Sequence, residues 1–312
     1  MDNTGAGRLW ENSLFMKEPN CRIISCGNFY FIKEVFHIMK TNSKKISVKM
    51  LTESAIMIAL ATVSSFIKLW DFPAGGSITI ASMFPIAVIA YRYGTSWGLF
   101  TAVIHGIVQQ LVGLNTLSYV TTWQSVVAVI LLDYVVAFAV VGLAGVFRKK
   151  IARPSTALVM GSLLACVLRY VCHFISGATV WAGLSIPDEA AILYSLSYSA
   201  TYMIPETIIL LLVALYMGEN IDFTKPRITR IKQENIARGT AWMLPAAGLS
   251  ALAALVYDIV AIFGRLQNAS GVFDLSGLAN VNWIIFAIIN AIAAVIVAVL
   301  VVIYKIIQKK TA

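Results

Sequence analysis

The sequence predicts an all-α polytopic membrane protein that crosses the bilayer eight times. Hydrophobic residues make up 59% of the chain and charged residues only 12%, whereas a soluble domain carries about 25% charged residues. The apolar residues fall in runs long enough to span a bilayer, separated by short polar loops. The predicted spans are Val48–Leu69, Ile78–Ala90, Thr95–Val112, Gln124–Phe147, Ser155–Leu184, Ala191–Met217, Thr240–Phe263 and Trp283–Ile307.

The segments before span 1 and after span 6 are assigned separately. Residues 1–38 are mixed polar and aromatic and have no signal-peptide layout. Two interpretations stay open: a short cytoplasmic tail, or a non-native start that precedes an initiator at Met39. Residues 219–239 are predicted to form a basic cytoplasmic linker, and residues 240–312 an additional hairpin of two transmembrane helices.

The distribution of basic residues predicts the orientation. With eight alternating spans, nearly all of the loop lysines and arginines fall on one side of the membrane. Cytoplasmic loops are the ones enriched in lysine and arginine, so both termini are predicted to be cytoplasmic. The net charge of +9 therefore reflects membrane topology and does not indicate nucleic-acid binding. These basic positions include Lys44, Lys45, Lys49, Arg92, Arg148, Lys149, Lys150, Arg153, Lys225, Arg227, Arg230, Lys309 and Lys310.

Polar and aromatic residues within spans 5 and 6 predict a site inside the membrane domain. At helical spacing, one face of span 5 carries Arg169, His173, Ser176, Gly177 and Trp181. On span 6, Tyr194, Tyr198 and Tyr202 repeat every four residues. Ionisable groups are costly in hydrocarbon, so these faces should point at each other around water or a ligand. Each residue alone is also compatible with helix packing or an interfacial aromatic belt.

Asp133 lies among aliphatic residues within span 4 and is followed by Tyr134. A carboxylate near the middle of a bilayer costs roughly 2.5–3.5 kcal/mol on insertion scales. Its compensating partner could be Arg169, a donor-rich ligand or water. Aromatic faces together with one carboxylate suit a flat heteroaromatic ligand that carries a positive charge or an amine.

Several other classes of site are not indicated. The four cysteines, Cys21, Cys26, Cys166 and Cys172, lack the spacing of a metal finger or a disulfide framework. The phosphate-binding pattern GxxxxGK[ST] is absent, so the chain has no ATPase motif of its own. We find no defensible catalytic triad and no HExxH, and we expect neither a catalytic residue, a metal nor a cofactor.

Four segments in order resemble the thiamine-specific substrate-binding subunit, or S-component, of energy-coupling factor (ECF) transporters. The resemblance covers about residues 46–218, and we assign residues 39–218 to the substrate-binding membrane domain. The segments read GGSITIASMFPIAVIAYRYG, LLDYVVAFAVVGLAGVF, RYVCHFISG…W and YSLSY…MIPE.

The resemblance implies a fold, a ligand and partners. The family forms a six-helix bundle, binds thiamine at the outer face and docks on a transmembrane coupling protein with two ATPases. The family's ligand contacts correspond here to Asp133, Tyr134, His173, Trp181, Tyr194, Ser199 and Trp70. Its docking motif Ala-x-x-x-Ala on helix 1 corresponds to Ala55 and Ala59, small residues whose spacing alone could be coincidence.

This chain departs from the family pattern at two ligand contacts and in its length. The family acid is commonly Glu where Asp133 stands, and the residue five positions after the helix 6 tyrosine is often Asn where Ser199 stands. Spans 7 and 8 have no counterpart in the six-helix core. The alternatives left open are a self-contained secondary transporter, an S-component for a different vitamin, and an intramembrane enzyme using His173 and Asp133.

Overall fold

Within the described residues, the computed structural model has eight main helices, short 3-10 helices at Leu114–Tyr119 and Leu275–Asn280, and two short two-stranded ribbons. The described residues are 47–72, 76–181, 191–231, 240, 242–263, 265–266 and 274–311. The predicted tail 1–38 with Met39 and part of the predicted linker, 232–239, therefore lie outside the described residues. The helices are α1 Val48–Phe66, α2 Phe84–Tyr93, α3 Thr95–Val112, α4 Trp123–Gly145, α5 Pro154–Thr179, α6 Ala191–Asn220, α7 Met243–Phe263 and α8 Trp283–Thr311. The strands are β1 Lys68–Asp71, β2 Ser77–Thr79, β3 Ile221–Asp222 and β4 Thr229–Arg230.

Among the described residues, six helices are long and apolar enough to cross a membrane: α1, α4, α5, α6, α7 and α8. The predicted second span, Ile78–Ala90, is helical only from Phe84. Its first residues belong to β2, and α2 has only ten residues, about 15 Å against a hydrocarbon core of about 30 Å. Helix α3 has the predicted bounds, but His105, Gln109 and Gln110 lower its apolar character.

Helix α2 is apolar because it lies inside the protein. Ile86, Ala87, Ile89 and Ala90 are completely buried among α1, α3, α4 and α5. A helix that is apolar all round is typical of both a membrane span and a buried core helix, so the pattern alone cannot separate the two. The short length of α2 and its burial together identify it as a core element.

Small residues let α4 approach its neighbours closely. A side chain at Gly145 would meet the Ala90 carbonyl oxygen at 2.0 Å, and one at Gly161 would meet the Ala144 carbonyl oxygen at 1.9 Å. Both distances are far below van der Waals contact, so any larger residue would push the helices apart. These contacts pin the end of α4 between α2 and α5.

One end of the bundle is fastened by a buried arginine. The Arg92 guanidinium donates to the Glu53 carboxylate at 2.6 and 3.1 Å. It also donates to the carbonyl oxygens of Phe223, Lys225 and Pro226 at 2.7, 2.6 and 2.8 Å. Helices α1 and α2 are thereby tied to the β3–β4 ribbon that follows α6.

The β1–β2 hairpin closes the opposite end of α1. Trp70 pairs with Ile78 and Asp71 with Ser77 in an antiparallel ladder. Helix α1 therefore ends at Phe66 and not at the predicted Leu69, because the residues after Ile67 are extended and bonded to β2.

Candidate functional site

The carboxylate of Asp133 is the centre of a hydrogen-bonded cluster between α4 and α5. Its Oδ1 lies 3.0 Å from Nδ1 of His173. Its Oδ2 accepts from Ser176 Oγ at 2.7 Å and from Trp181 Nε1 at 3.1 Å. The Asp133 and His173 side chains are only 13% and 11% exposed. Three donors on or just after one helix therefore stabilise a carboxylate held by another.

The backbone around Asp133 departs from the ordinary α-helix. Residues Ile130–Val136 form a π-helical segment within α4. An i→i+5 segment is rare and occurs often at functional sites, because it turns side chains out of the regular helical register. Asp133 and Tyr134 both lie in this segment. Ile130–Val136 contains no glycine or proline, so the sequence gives no sign of the irregular helix.

Arg169 reaches Asp133 through His173. Its Nε donates to His173 Nε2 at 3.2 Å. Since Nε2 accepts, the histidine carries its proton on Nδ1 and donates it to Asp133. The direct Asp133–Arg169 pair weighed from the sequence is replaced by this relay of a cation, a neutral imidazole and a carboxylate.

Arg169 also lies on an aromatic face that the sequence analysis missed. Its guanidinium carbon lies 4.2 Å from the centroid of the Phe138 ring, within the range of a cation–π contact. Phe138 is 8% exposed and follows Tyr134 by one helical repeat of four residues. That spacing is the signal that could have found it. Within the described residues, Arg169 Nη1 is buried without a hydrogen-bond partner.

Trp181, Tyr134 and Tyr194 lie together beside Asp133. Trp181 is 7% exposed and forms a small apolar cluster with Val120 and Val129, against which both tyrosines pack. The Tyr134 hydroxyl lies 2.9 Å from Thr116 Oγ1, in the connection between α3 and α4. Helices α4 and α6 thus each contribute a tyrosine, and the residues just after α5 contribute a tryptophan.

The remaining predicted contacts lie in a neighbouring aromatic cluster. Phe72 of the hairpin lies 5.6 Å from Tyr198 and 6.2 Å from Tyr202, measured between ring centroids. Trp70 packs against this cluster, as does Tyr194, which joins it to the Trp181 side. We call these residues and their aliphatic neighbours the aromatic cluster; Phe72 was not singled out from the sequence.

Tyr202 connects the aromatic cluster to the carboxylate. Its ring lies 5.7 Å from the His173 ring in an edge-on arrangement. Ser199 is 2% exposed and interacts with the Tyr202 side chain. The structure therefore brings all seven predicted ligand contacts into two adjoining groups. Among the described residues, no cluster of three or more His, Cys, Asp or Glu side chains could hold a metal ion.

Ala55 and Ala59 lie elsewhere, on α1. Both are exposed, as are their neighbours Ile56 at 59% and Leu60 at 50%. Towards the Arg92 end, a groove of about 470 Å³ runs between α1 and the β3–β4 ribbon. Its lining residues are Lys49, Glu53, Ile56, Met57, Pro226, Arg227 and Ile228.

Comparisons with known proteins place these features in context. Residues 51–224 match the family described as thiamine transporter protein (Thia_YuaJ). The thiamine transporter ThiT of Bacillus subtilis (strain 168) is 33% identical over 193 residues, covering 58% of this chain and 93% of that protein. A solved structure of ThiT from Listeria monocytogenes covers 54% of this chain and 92% of that one, with 23% identity and a TM-score of 0.45. Helices α7 and α8 follow the matched region.

Proposed function

The chain belongs to the thiamine transporter protein family, as its sequence motifs indicated, and we propose that it is the S-component that captures thiamine for an ECF transporter. The family consists of transporters and not enzymes. The observation that carries the proposal is the Asp133 carboxylate, held by three donors beside aromatic residues. The protein is a multi-pass membrane protein.

The hydrogen-bonding capacity of Asp133 supports an amine-bearing ligand. An ionised carboxylate offers about four acceptor positions. Oδ2 already accepts from Ser176 and Trp181, whereas among the described residues Oδ1 is approached only by His173. Oδ1 thus retains one position for the exocyclic amine of an aminopyrimidine.

The aromatic residues supply faces for the rings of thiamine. Trp181, Tyr134 and Tyr194 pack together next to Asp133, and a desolvated cation–π contact contributes about 0.5–2 kcal/mol. The thiazolium ring of thiamine is cationic, and the carboxylate favours a positive charge nearby. In this proposal Trp70 completes the site from the aromatic cluster, and Ser199 does so through its hydrogen bond with Tyr202.

Energy coupling would occur on α1. An exposed face with alanines at positions 55 and 59 lets another helix approach closely. The adjacent groove, with Lys49 and Arg227 at its rim, extends the surface available to a partner. We propose that this face docks the transmembrane coupling protein, which carries two ATPases, and that both termini are cytoplasmic.

Two measurements on the full chain test the proposal. Purified protein should bind thiamine in a titration that follows tryptophan fluorescence, and thiamine should be found by mass spectrometry in the purified sample. Cells that express the chain should take up thiamine only when the coupling protein and ATPases are present. Uptake without them would favour a self-contained secondary transporter, and tighter binding of another vitamin would change the assigned ligand.

A further inference from the structure

Helices α7 and α8 lie beyond the matched region, and only one of them reaches the protein interior. No residue in the apolar window of α8 is buried, and α8 packs on α7. Helix α7 packs on α6 and buries Leu255 at 9% exposure and Ile259 at 2%. Just after α7, Leu266 is 1% exposed. The helix pair therefore has one defined inner edge.

That inner edge belongs to the aromatic cluster beside the candidate site. Leu255, Ile259 and Leu266 share this cluster with Phe72 and Tyr202. The connection between α7 and α8 contributes as well, because Leu275 and Leu278 pack against the same cluster. Aliphatic residues of α7 and of this connection thus cover the cluster that contains hairpin residues.

The β1–β2 hairpin lies directly on Tyr202. Gly76 has a φ of +83°, and a side chain there would meet the Tyr202 ring at 3.0 Å. The Phe72 amide donates to the Gly76 carbonyl oxygen at 3.1 Å, which holds Phe72 in the same cluster. Tyr202 in turn contacts His173, the partner of Asp133. A continuous series of packed side chains therefore connects the inner edge of α7 to the Asp133 carboxylate.

Helix α8 is fixed to α7 by a polar contact. Asn290 Nδ2 donates to Asp258 Oδ1 at 2.7 Å. A hydrogen bond between two helices in a membrane fixes their register, because lipid offers neither group another partner. Asp258 lies in the same turn as Leu255 and Ile259, so α8 supports the part of α7 that faces the cluster.

We propose that the α7–α8 pair forms an added wall of the ligand site, which holds the β1–β2 hairpin against Tyr202 and slows the release of bound ligand. The effect on ligand release rests on the proposed function, whereas the packing of the α7–α8 pair does not depend on any ligand. Differences in affinity between related complexes arise mostly from their dissociation rates. The α7–α8 pair should therefore affect dissociation more than association.

The experiment compares Leu255→Ala with Leu249→Ala in the full chain. Both substitutions shorten a leucine of α7, but Leu249 is 67% exposed and lies away from the cluster. We expect Leu255→Ala to speed thiamine dissociation, followed by tryptophan fluorescence in stopped flow, by roughly tenfold while association changes little. Leu249→Ala should dissociate like the parent. Equal dissociation rates for the two variants would overturn the proposal.

A second measurement needs no ligand. Without ligand, hydrogen exchange at the amides of Lys68–Asp71 and Ser77–Thr79 should be faster in Leu255→Ala than in Leu249→Ala. If the parent does not bind thiamine, the proposed function is wrong. The exchange measurement still tests whether the α7–α8 pair holds the hairpin in place, because it needs no ligand. If Leu255→Ala does not fold, Ile259→Val and Leu278→Ala replace it, and unchanged hairpin exchange in both would reject the wall.

Discussion

The α4–α5 interface and the outer surface of α1 differ in the residues they present: the interface holds a hydrogen-bonded polar cluster, and the surface of α1 presents small residues. At the interface, the Asp133 side chain is 13% exposed and accepts three hydrogen bonds from α5 and the residues just after it. On α1, Ala55 and Ala59 are exposed. In our proposal the first region binds ligand and the second docks a partner. Because they share no side chain, substitutions should separate binding from transport.

The largest expected effect is the loss of transport in Ala59→Trp. A large side chain on this face blocks close approach of another helix, so uptake should be abolished while thiamine binding by the purified protein is retained. Ala291→Trp is the matched control, because Ala291 is exposed on α8. If Ala59→Trp still transports, α1 does not dock the partner; if binding is lost as well, the two regions are not separate.

Asp133→Asn should have the next largest effect, on binding. The amide nitrogen of asparagine would face at least one donor, because both carboxylate oxygens accept hydrogen bonds. We expect a loss of about 1–3 kcal/mol in binding free energy, typical of a charge-assisted hydrogen bond. Calorimetric titration measures it, with Asp222→Asn in the β3–β4 ribbon as the control. An unchanged dissociation constant would remove Asp133 from the site.

Trp181→Ala tests the aromatic side of the same region. This change removes a ring face and one donor to Oδ2 of Asp133, and should weaken binding by roughly 1–2 kcal/mol. Ligand-induced quenching of tryptophan fluorescence should also decrease. Trp123→Ala removes an indole that is 72% exposed, and should leave affinity unchanged. Equal behaviour of the two variants would mean that Trp181 only anchors the helix end.

The smallest expected effect is that of Ser176→Ala. This change removes one hydrogen bond to Asp133 but no ring, so binding should weaken by about 0.5–1.5 kcal/mol. Ser162→Ala is a control on the same helix, since Ser162 is buried and its hydroxyl has no partner among the described residues. A larger loss for Ser162→Ala than for Ser176→Ala would contradict the arrangement around Asp133.

The sequence predicted which side chains share a helix face, but not how they are bonded. The spacing of Arg169, His173 and Trp181 placed them together on span 5. In the structure His173 and Trp181 contact Asp133, and Arg169 contacts His173. The relay through His173 could not be predicted, because it depends on a contact between residues 40 apart in the chain. Phe138 and Phe72 were missed because aromatic residues are common in apolar segments.

Sequence motifs indicated the family, whereas composition and periodicity alone specified the helical membrane class and most helix bounds. They did so because the cost of placing polar backbone and charge in hydrocarbon is local to each segment. Three features became known from the packed helices alone: α2 is a buried ten-residue helix, α4 contains a π-helical segment at Asp133, and α7 packs into the aromatic cluster. These features depend on which helices meet, and an apolar segment can be buried equally well by lipid or by protein.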